Sequence, residues 1–208
     1  MNYIQDFANW LWYPGGFVLS GVMLQWLTRL DEELRGINRK QLACIWFVSC
    51  GVAELIIFNS SIAILPMQKF FCLLLILYLV IGTVMDVIME KVSDFLQYVG
   101  MGGGVLLLLT KLPPREIGIS LIGFALIQYF LFQKMYGRAD VMGFLVCAVY
   151  LAAQNKGIEA YLLHMAGFFC LLAMVQGLKG NINEKGNLKH PVPLYPYILT
   201  SFLLFIYR

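Results

Sequence analysis

The run FFCLLLILYLVIGTVMDVIM, residues 70–89, decides the fold class of this chain. Its 20 residues contain a single side chain that is charged at pH 7, Asp86. A membrane-spanning helix needs about 20 predominantly apolar residues, whereas the strands of a transmembrane barrel alternate apolar and polar residues in segments of about ten. The run does not alternate, so it predicts a helix that crosses a bilayer.

The composition of the whole chain leads to the same class. Of the 208 residues, 60% are hydrophobic and 13% are charged, against about 45–50% and about 25% in a soluble domain. This composition excludes a water-soluble globule and predicts an all-α, polytopic membrane helix bundle with about eight transmembrane helices. The apolar runs predict helices over residues 9–28, 41–58, 70–89, 95–110, 117–133, 141–154, 159–178 and 193–207. We expect residues 1–208 to form a single integral membrane domain.

The basic residues predict the orientation in the membrane, since Lys and Arg are retained preferentially on the cytoplasmic side. The loops at 29–40, 90–94, 134–140 and 179–191 together contain ten Lys and Arg, and the remaining loops with the C-terminus contain five. We therefore expect these four loops in the cytoplasm and both chain ends outside, in a cytoplasmic (inner) membrane. The net charge of +3 is explained by this asymmetry, so we expect the lipid bilayer as a partner and no nucleic acid.

Most of the 12 acidic residues lie in loops or at helix ends, and three do not obviously do so: Glu54, Asp86 and Asp140. An ionisable group in a membrane helix is costly and is a functional candidate by default. Asp86 and Asp140 are 54 residues apart with two predicted helices between them, so both should lie near the cytoplasmic boundary. Two carboxyls about 3 Å apart share one proton, and one can then act as base on a water while the other acts as acid.

Ordinary structural roles also account for these residues. An acid at a helix end is commonly a solvated cap, and Glu54 has no partner that the sequence identifies. For His164, within the run at 159–178, a hydrogen-bonded contact between helices is the favoured interpretation over a proton relay.

Three segments carry a resemblance to a known family: DVIMEKVSDFL at 86–96, YGRADVMG at 136–143 and VPLYPY at 192–197. Their order and shared cytoplasmic side resemble those of the type IV prepilin peptidases, which are intramembrane aspartic peptidases of the GxGD type. The loop at 29–40 has no cysteine, so the chain resembles the short form that lacks the zinc-binding cysteine segment. The resemblance covers about residues 70–208 as a peptidase core, while 1–58 supplies two N-terminal helices.

Matches and departures can be named residue by residue. Asp86 matches the first catalytic aspartate, and Ser93 and Asp94 stand at the helix start where the family usually has proline; Ser93 is expected to serve as the N-cap there. Gly137 and Asp140 match the G-x-G-D signature, but Ala139 replaces its second glycine. Pro193 and Pro196 match the prolines that open the last helix, and Tyr195 replaces the glycine between them.

The resemblance implies an aspartic endopeptidase that cleaves the leader from type IV pilin-like precursor proteins at the cytoplasmic membrane boundary. Asp86 and Asp140 would activate water, and no cofactor and no metal would be needed. Glu90 and Asp94 are candidates for contacting a basic leader.

Two other classes of function remain open at the level of the sequence. A small proton- or cation-coupled membrane transporter could use the same two acids, although such carriers typically show inverted repeats and midplane sites. An inactive scaffold member of the family is the other alternative, because Ser93, Ala139 and Tyr195 depart from the family pattern.

Overall fold

The computed structural model describes residues 38–59, 66–111, 114–132, 137–183 and 188–206, with scattered positions between 15 and 29. Its helices within these ranges are α1 (Arg39–Asn59), α2 (Pro66–Met89), α3 (Asp94–Lys111), α4 (Arg115–Phe132), α5 (Arg138–Ala153), α6 (Ile158–Leu178) and α7 (Tyr195–Ile206). The described part of the chain has no strand beyond one isolated antiparallel bridge between Ile182 and Leu188. The predicted all-α class is confirmed for these residues.

Seven of the eight predicted apolar runs coincide with these helices to within four residues at each end. The largest difference is at α2, which begins at Pro66 instead of residue 70. Proline suits the first turn of a helix because its missing N–H would have no intrahelical partner there. Most of the predicted run at 9–28 lies outside the described residues, and the described positions in it are helical.

Among the described residues, α6 is the one helix long and apolar enough to cross a membrane alone. Only 22% of its most apolar window of 18 residues is buried inside the molecule. Shorter apolar stretches of 10–17 residues occur at Leu75–Met89, Asp94–Thr110, Glu116–Phe132 and Tyr195–Leu204.

The chain divides into two compact units, residues 1–107 and 108–208. In the first unit, α1 packs on α2, and the buried Tyr78 of α2 contacts α3. The Tyr78 hydroxyl donates a hydrogen bond of 2.5 Å to Oε1 of Gln97, and its ring covers Gly100 so closely that a methyl group there would lie 2.5 Å from Cδ2. A tyrosine packed on a glycine therefore joins α2 to α3.

The second unit is organised around α5. From Val141 to Ala153 this helix is buried at every position except Met142, and α4, α6 and α7 all pack against it. Its end is closed by Asn155, whose φ is 59°; Asn155 N donates to Ala152 O and Lys156 N donates to Leu151 O. This is the Schellman pattern, which satisfies the last carbonyls of a helix.

A similar cap closes α6 and shapes the segment before α7. Gly180 has a φ of 65°, and the backbone bonds Gly180 N to Gly177 O and Asn181 N to Gln176 O complete the pattern. The Asn181 side chain then donates to Oε1 of Gln176 over 2.9 Å and accepts from His190 N over 3.0 Å. The described residues of this segment are thereby attached to the end of α6.

Candidate active site

Asp86 lies in the last turn of α2, as predicted, and is 9% exposed. Its own carbonyl accepts a hydrogen bond of 3.2 Å from Glu90 N, and Glu90 adopts a φ of 55°. Together these form the cap in which a left-handed residue follows the helix. The cap ends the helix at Met89, and the side chains of Glu90 and Lys91 beyond it are exposed.

Ser93 stands immediately before α3, which begins at Asp94. Its carbonyl accepts from Gln97 N over 3.4 Å, so the residue occupies the expected capping position. Its hydroxyl, however, is buried and makes no hydrogen bond to any residue that the structure describes. Ser93 therefore occupies the predicted N-cap position, but the expected side-chain cap is wrong, since its hydroxyl bonds no described N–H group of the first turn. Asp94 is exposed in that turn, where a negative charge is favourable.

Asp140 lies in the first turn of α5 and is half-buried. Its carboxylate folds back over Gly137, so that Oδ2 is 3.4 Å from the position that a Cβ of Gly137 would take. Gly137 is the N-cap of α5 and supplies no side-chain bond to it. An acid three residues after the N-cap commonly reaches back in this way, so the ordinary capping role of Asp140 is compatible with the structure.

The second unit brings the Asp140 segment together with the predicted start of the last helix. Tyr195 is completely buried, and its hydroxyl donates to the carbonyl of Ala139 over 3.2 Å. The ring lies against Gly143, where a Cβ would be 3.3 Å from both Cζ and Oη. Two segments that are 56 residues apart thus meet, and two of the three residues that depart from the family pattern, Ala139 and Tyr195, are in direct contact.

The prolines fit the start of α7. Pro193 precedes the helix and Pro196 is its second residue, a position where the absent N–H costs no hydrogen bond. The carbonyl of Leu194, between them, accepts from Tyr197 N over 3.0 Å and from Ile198 N over 3.1 Å. The first turn of α7 is therefore well defined.

Asp86 belongs to the first unit and Asp140 to the second, so their pairing stays a prediction. Glu54 lies within α1, but its side chain is outside the described residues. No group of three or more His, Cys, Asp or Glu side chains suited to a metal ion occurs in the part of the chain that the structure describes.

His164 makes the interhelical contact that was the favoured interpretation. Its Nδ1 lies 2.9 Å from Oγ of Ser201, which joins α6 to α7 inside the second unit. The rings of Phe144 and Phe202 pack around the imidazole at centroid distances of 5.6 and 5.7 Å. The hydrogen-bonded contact is confirmed.

Sequence reasoning missed a recurring pair of residue types. Three glutamines that are buried within helices each hydrogen-bond a tyrosine of another helix: Gln97 to Tyr78, Gln128 to Tyr161 and Gln176 to Tyr197. Each glutamine is a lone amide in an apolar run, and this was the available signal. Polar side chains that meet in this way join helices through hydrogen bonds inside an apolar interior.

Comparison of the chain with models of protein families, with curated proteins and with solved structures found no match. The resemblance to the prepilin peptidases therefore rests on the three sequence segments alone.

Proposed function

We propose that this chain is a polytopic membrane protein and an intramembrane aspartic endopeptidase of the prepilin peptidase type. It cleaves the leader of type IV pilin-like precursors at the cytoplasmic face of the inner membrane. Asp86 and Asp140 are the two catalytic groups. The observation that carries the proposal is the contact between Tyr195 and Ala139, because it joins the second and third family-like segments beside Asp140.

The distribution of side chains on α4 supports a lipid environment. Gln128 is buried, whereas Ile127, Phe130 and Leu131 beside it are each at least 60% exposed. Large apolar side chains that face outward around an interior amide form a patch unusual for a monomer in water, but they cost nothing against hydrocarbon. The exposed Leu178 and Ile119 follow the same pattern.

The order of the helices supports a common face for the two acids. Asp86 lies at the end of α2 and Asp140 at the start of α5, and two helices, α3 and α4, separate them in the chain. If each of these helices crosses once, both acids return to the side that the basic loops assign to the cytoplasm. The junction between a basic leader and a hydrophobic helix lies at that same boundary.

The reaction follows from two carboxyls that share one proton. Asp140, at the start of a helix where negative charge is favourable, accepts a proton from water as the oxygen attacks the scissile carbonyl. Asp86 donates its proton to the carbonyl oxygen. As the tetrahedral intermediate collapses, the proton that Asp140 took from water passes to the leaving nitrogen, and a hydroxyl proton of the intermediate returns to Asp86. Glu90 and Asp94, both exposed after Asp86, are placed in the chain to contact basic residues of the leader.

The test is co-expression with a precursor that has a basic leader followed by a hydrophobic helix, with leader loss followed by mass spectrometry. We expect Asp86→Asn and Asp140→Asn each to lower cleavage by about 100-fold or more, the range that general acid–base groups supply. Glu159→Gln is the matched control, since Glu159 is also an acid in a first turn, that of α6, on the predicted outer side. We expect it to cleave within about twofold of the unmodified protein, because it contributes no group to the reaction.

Each outcome has a definite meaning. Intact cleavage in Asp86→Asn or Asp140→Asn would refute the dyad. If the unmodified protein leaves the precursor uncut but moves protons into liposomes in a manner that depends on both acids, the transporter is the correct class. If the folded, monodisperse protein shows neither cleavage nor proton transport, the inactive scaffold is the favoured class.

A further inference from the structure

Tyr195 occupies a position in the second unit that the proposed reaction has not yet used. It is the first residue of α7 and is 0% exposed. Its hydroxyl donates to the carbonyl of Ala139 over 3.2 Å, and Ala139 immediately precedes Asp140. The hydrogen bond therefore acts on the backbone of the turn that carries the acid.

Gly143 makes this contact sterically possible. In a helix, the carbonyl of Ala139 is directed towards residue 143, so a hydroxyl that reaches this carbonyl passes over Gly143. A Cβ at Gly143 would be 3.3 Å from Cζ and Oη of Tyr195 and 3.4 Å from Cδ1 of Ile198. The missing side chain thus provides the room that the phenol ring occupies.

The helix that carries Tyr195 is itself held in place. Ser201 is bonded to His164 of α6 over 2.9 Å, and the ring of Phe202 packs against the same imidazole at a centroid distance of 5.7 Å. Pro193 and Pro196 restrict the backbone on either side of Tyr195. The phenol ring is therefore held against the first turn of α5 by a helix whose own position is fixed. That first turn lacks a side-chain N-cap.

We infer that Tyr195 is a positioning residue for Asp140. Its hydrogen bond to the Ala139 carbonyl fixes the first turn of α5 and with it the direction of the carboxylate. Its catalytic consequence rests on the proposed function. The contact joins both residues of this unit that depart from the family pattern, since Tyr195 stands where the family has glycine and the carbonyl it bonds belongs to Ala139.

The main test is Tyr195→Phe, which removes the hydroxyl and keeps the ring. We expect kcat for leader cleavage to fall about tenfold, which corresponds to the loss of one hydrogen bond that holds Asp140 in its reactive direction, while KM changes less than about twofold because the substrate still binds. Tyr197→Phe is the matched control, because it removes another hydroxyl from the same helix whose partner is Gln176. We expect it to leave kcat within about twofold.

A second readout does not depend on catalysis. The rate at which a carbodiimide modifies Asp140, followed by mass spectrometry, reports on the accessibility and hydrogen bonding of that carboxyl. We expect Tyr195→Phe and Gly143→Ala to raise this rate about threefold or more relative to Glu159 in the same sample, and Tyr197→Phe to leave it unchanged. Gly143→Ala also supplies the test if Tyr195→Phe does not fold.

The two proposals fail in distinguishable ways. If no precursor is cleaved but Asp140 modification responds to Tyr195→Phe, the positioning role stands and the peptidase proposal fails. If the precursor is cleaved and neither kcat nor Asp140 modification responds to Tyr195→Phe or Gly143→Ala, Tyr195 has no positioning role. A loss of kcat in Tyr197→Phe equal to that in Tyr195→Phe would also overturn the inference, since it would show a general effect of α7.

Discussion

Each unit contains a buried tyrosine that packs against a glycine of another helix, but the two tyrosine hydroxyls donate to different kinds of acceptor. Tyr78 covers Gly100 and donates to the side chain of Gln97. Tyr195 covers Gly143 and donates to the backbone carbonyl beside Asp140. The same combination therefore joins two helices in the first unit and holds the acid-bearing turn itself in the second.

The turn that follows Asp86 has less favourable local geometry than the turn that carries Asp140. Glu90 is held at a φ of 55°, a conformation unfavourable for a side chain other than glycine or asparagine. Ser93 buries a hydroxyl without a hydrogen bond to any described residue. Unfavourable local geometry of this kind commonly accompanies functional sites, and it makes the turn after Asp86 the more strained of the two.

The largest effect on stability is expected at Gly100, which packs against Tyr78. In Gly100→Ala the new methyl group would lie 2.5 Å from the Tyr78 ring, which forces the buried ring or α3 to move. We expect the free energy of unfolding to fall by about 2–3 kcal/mol, as for other overpacked interiors. Thermal unfolding in detergent, followed by circular dichroism, measures the change.

Gly102→Ala is the control on the same helix, because a methyl group there meets no atom within 4 Å. Alanine in a helix interior is favoured over glycine by about 0.5–1 kcal/mol, so this variant should be slightly stabilised. Equal effects of the two substitutions would show that Tyr78 does not pack on Gly100 as described.

The sequence predicted the helices and the position of each acid within them more successfully than it predicted contacts. Asp86 near the end of α2 and the start of α7 within two residues of the predicted residue 193 follow from apolar runs interrupted by polar residues and proline. The contact of Tyr195 with Ala139 does not, because the residues are 56 positions apart and the pattern gives no angular relation between helices. The Gln–Tyr pairs were missed for the same reason.

The Ser93 hydroxyl shows that the local sequence does not predict every contact between residues close in the chain. Residue type correctly predicted the capping position, but the direction of a serine side chain depends on a rotamer that the local sequence does not specify. The pairing of Asp86 with Asp140 stays a prediction, since it depends on two separate units of the chain.

A smaller effect is expected at Glu90. Glu90→Gly removes the penalty for a left-handed residue, partly offset by the greater freedom of glycine in the unfolded chain, so we expect a gain of about 0.5–1 kcal/mol. Glu90→Gln is the comparison variant: it retains the strain and loses the same charge. If Glu90 contacts the leader, KM should rise in both variants while only Glu90→Gly is stabilised.

Lys91→Gly is the backbone control for Glu90, because Lys91 is not among the described residues with positive φ. It should lose stability instead of gaining it. A gain in Lys91→Gly equal to that in Glu90→Gly would mean that the effect comes from the unfolded chain and not from relief of the left-handed conformation at Glu90.

The smallest effect on stability is expected at Ser93. It tests whether a serine at the N-cap position also caps the helix with its side chain. Replacing a serine whose hydroxyl bonds the first turn of a helix costs about 1 kcal/mol. Because the Ser93 hydroxyl is buried without such a bond, Ser93→Ala removes an unsatisfied polar group, and we expect stability to stay within about 0.5 kcal/mol or to rise. Ser93→Thr is the complementary variant, since it keeps the hydroxyl and adds a methyl group to a site that is 7% exposed. A loss of about 1 kcal/mol in Ser93→Ala that Ser93→Thr restores would show that the hydroxyl caps α3 after all, and the contrast with the tyrosine-held turn at Asp140 would then disappear.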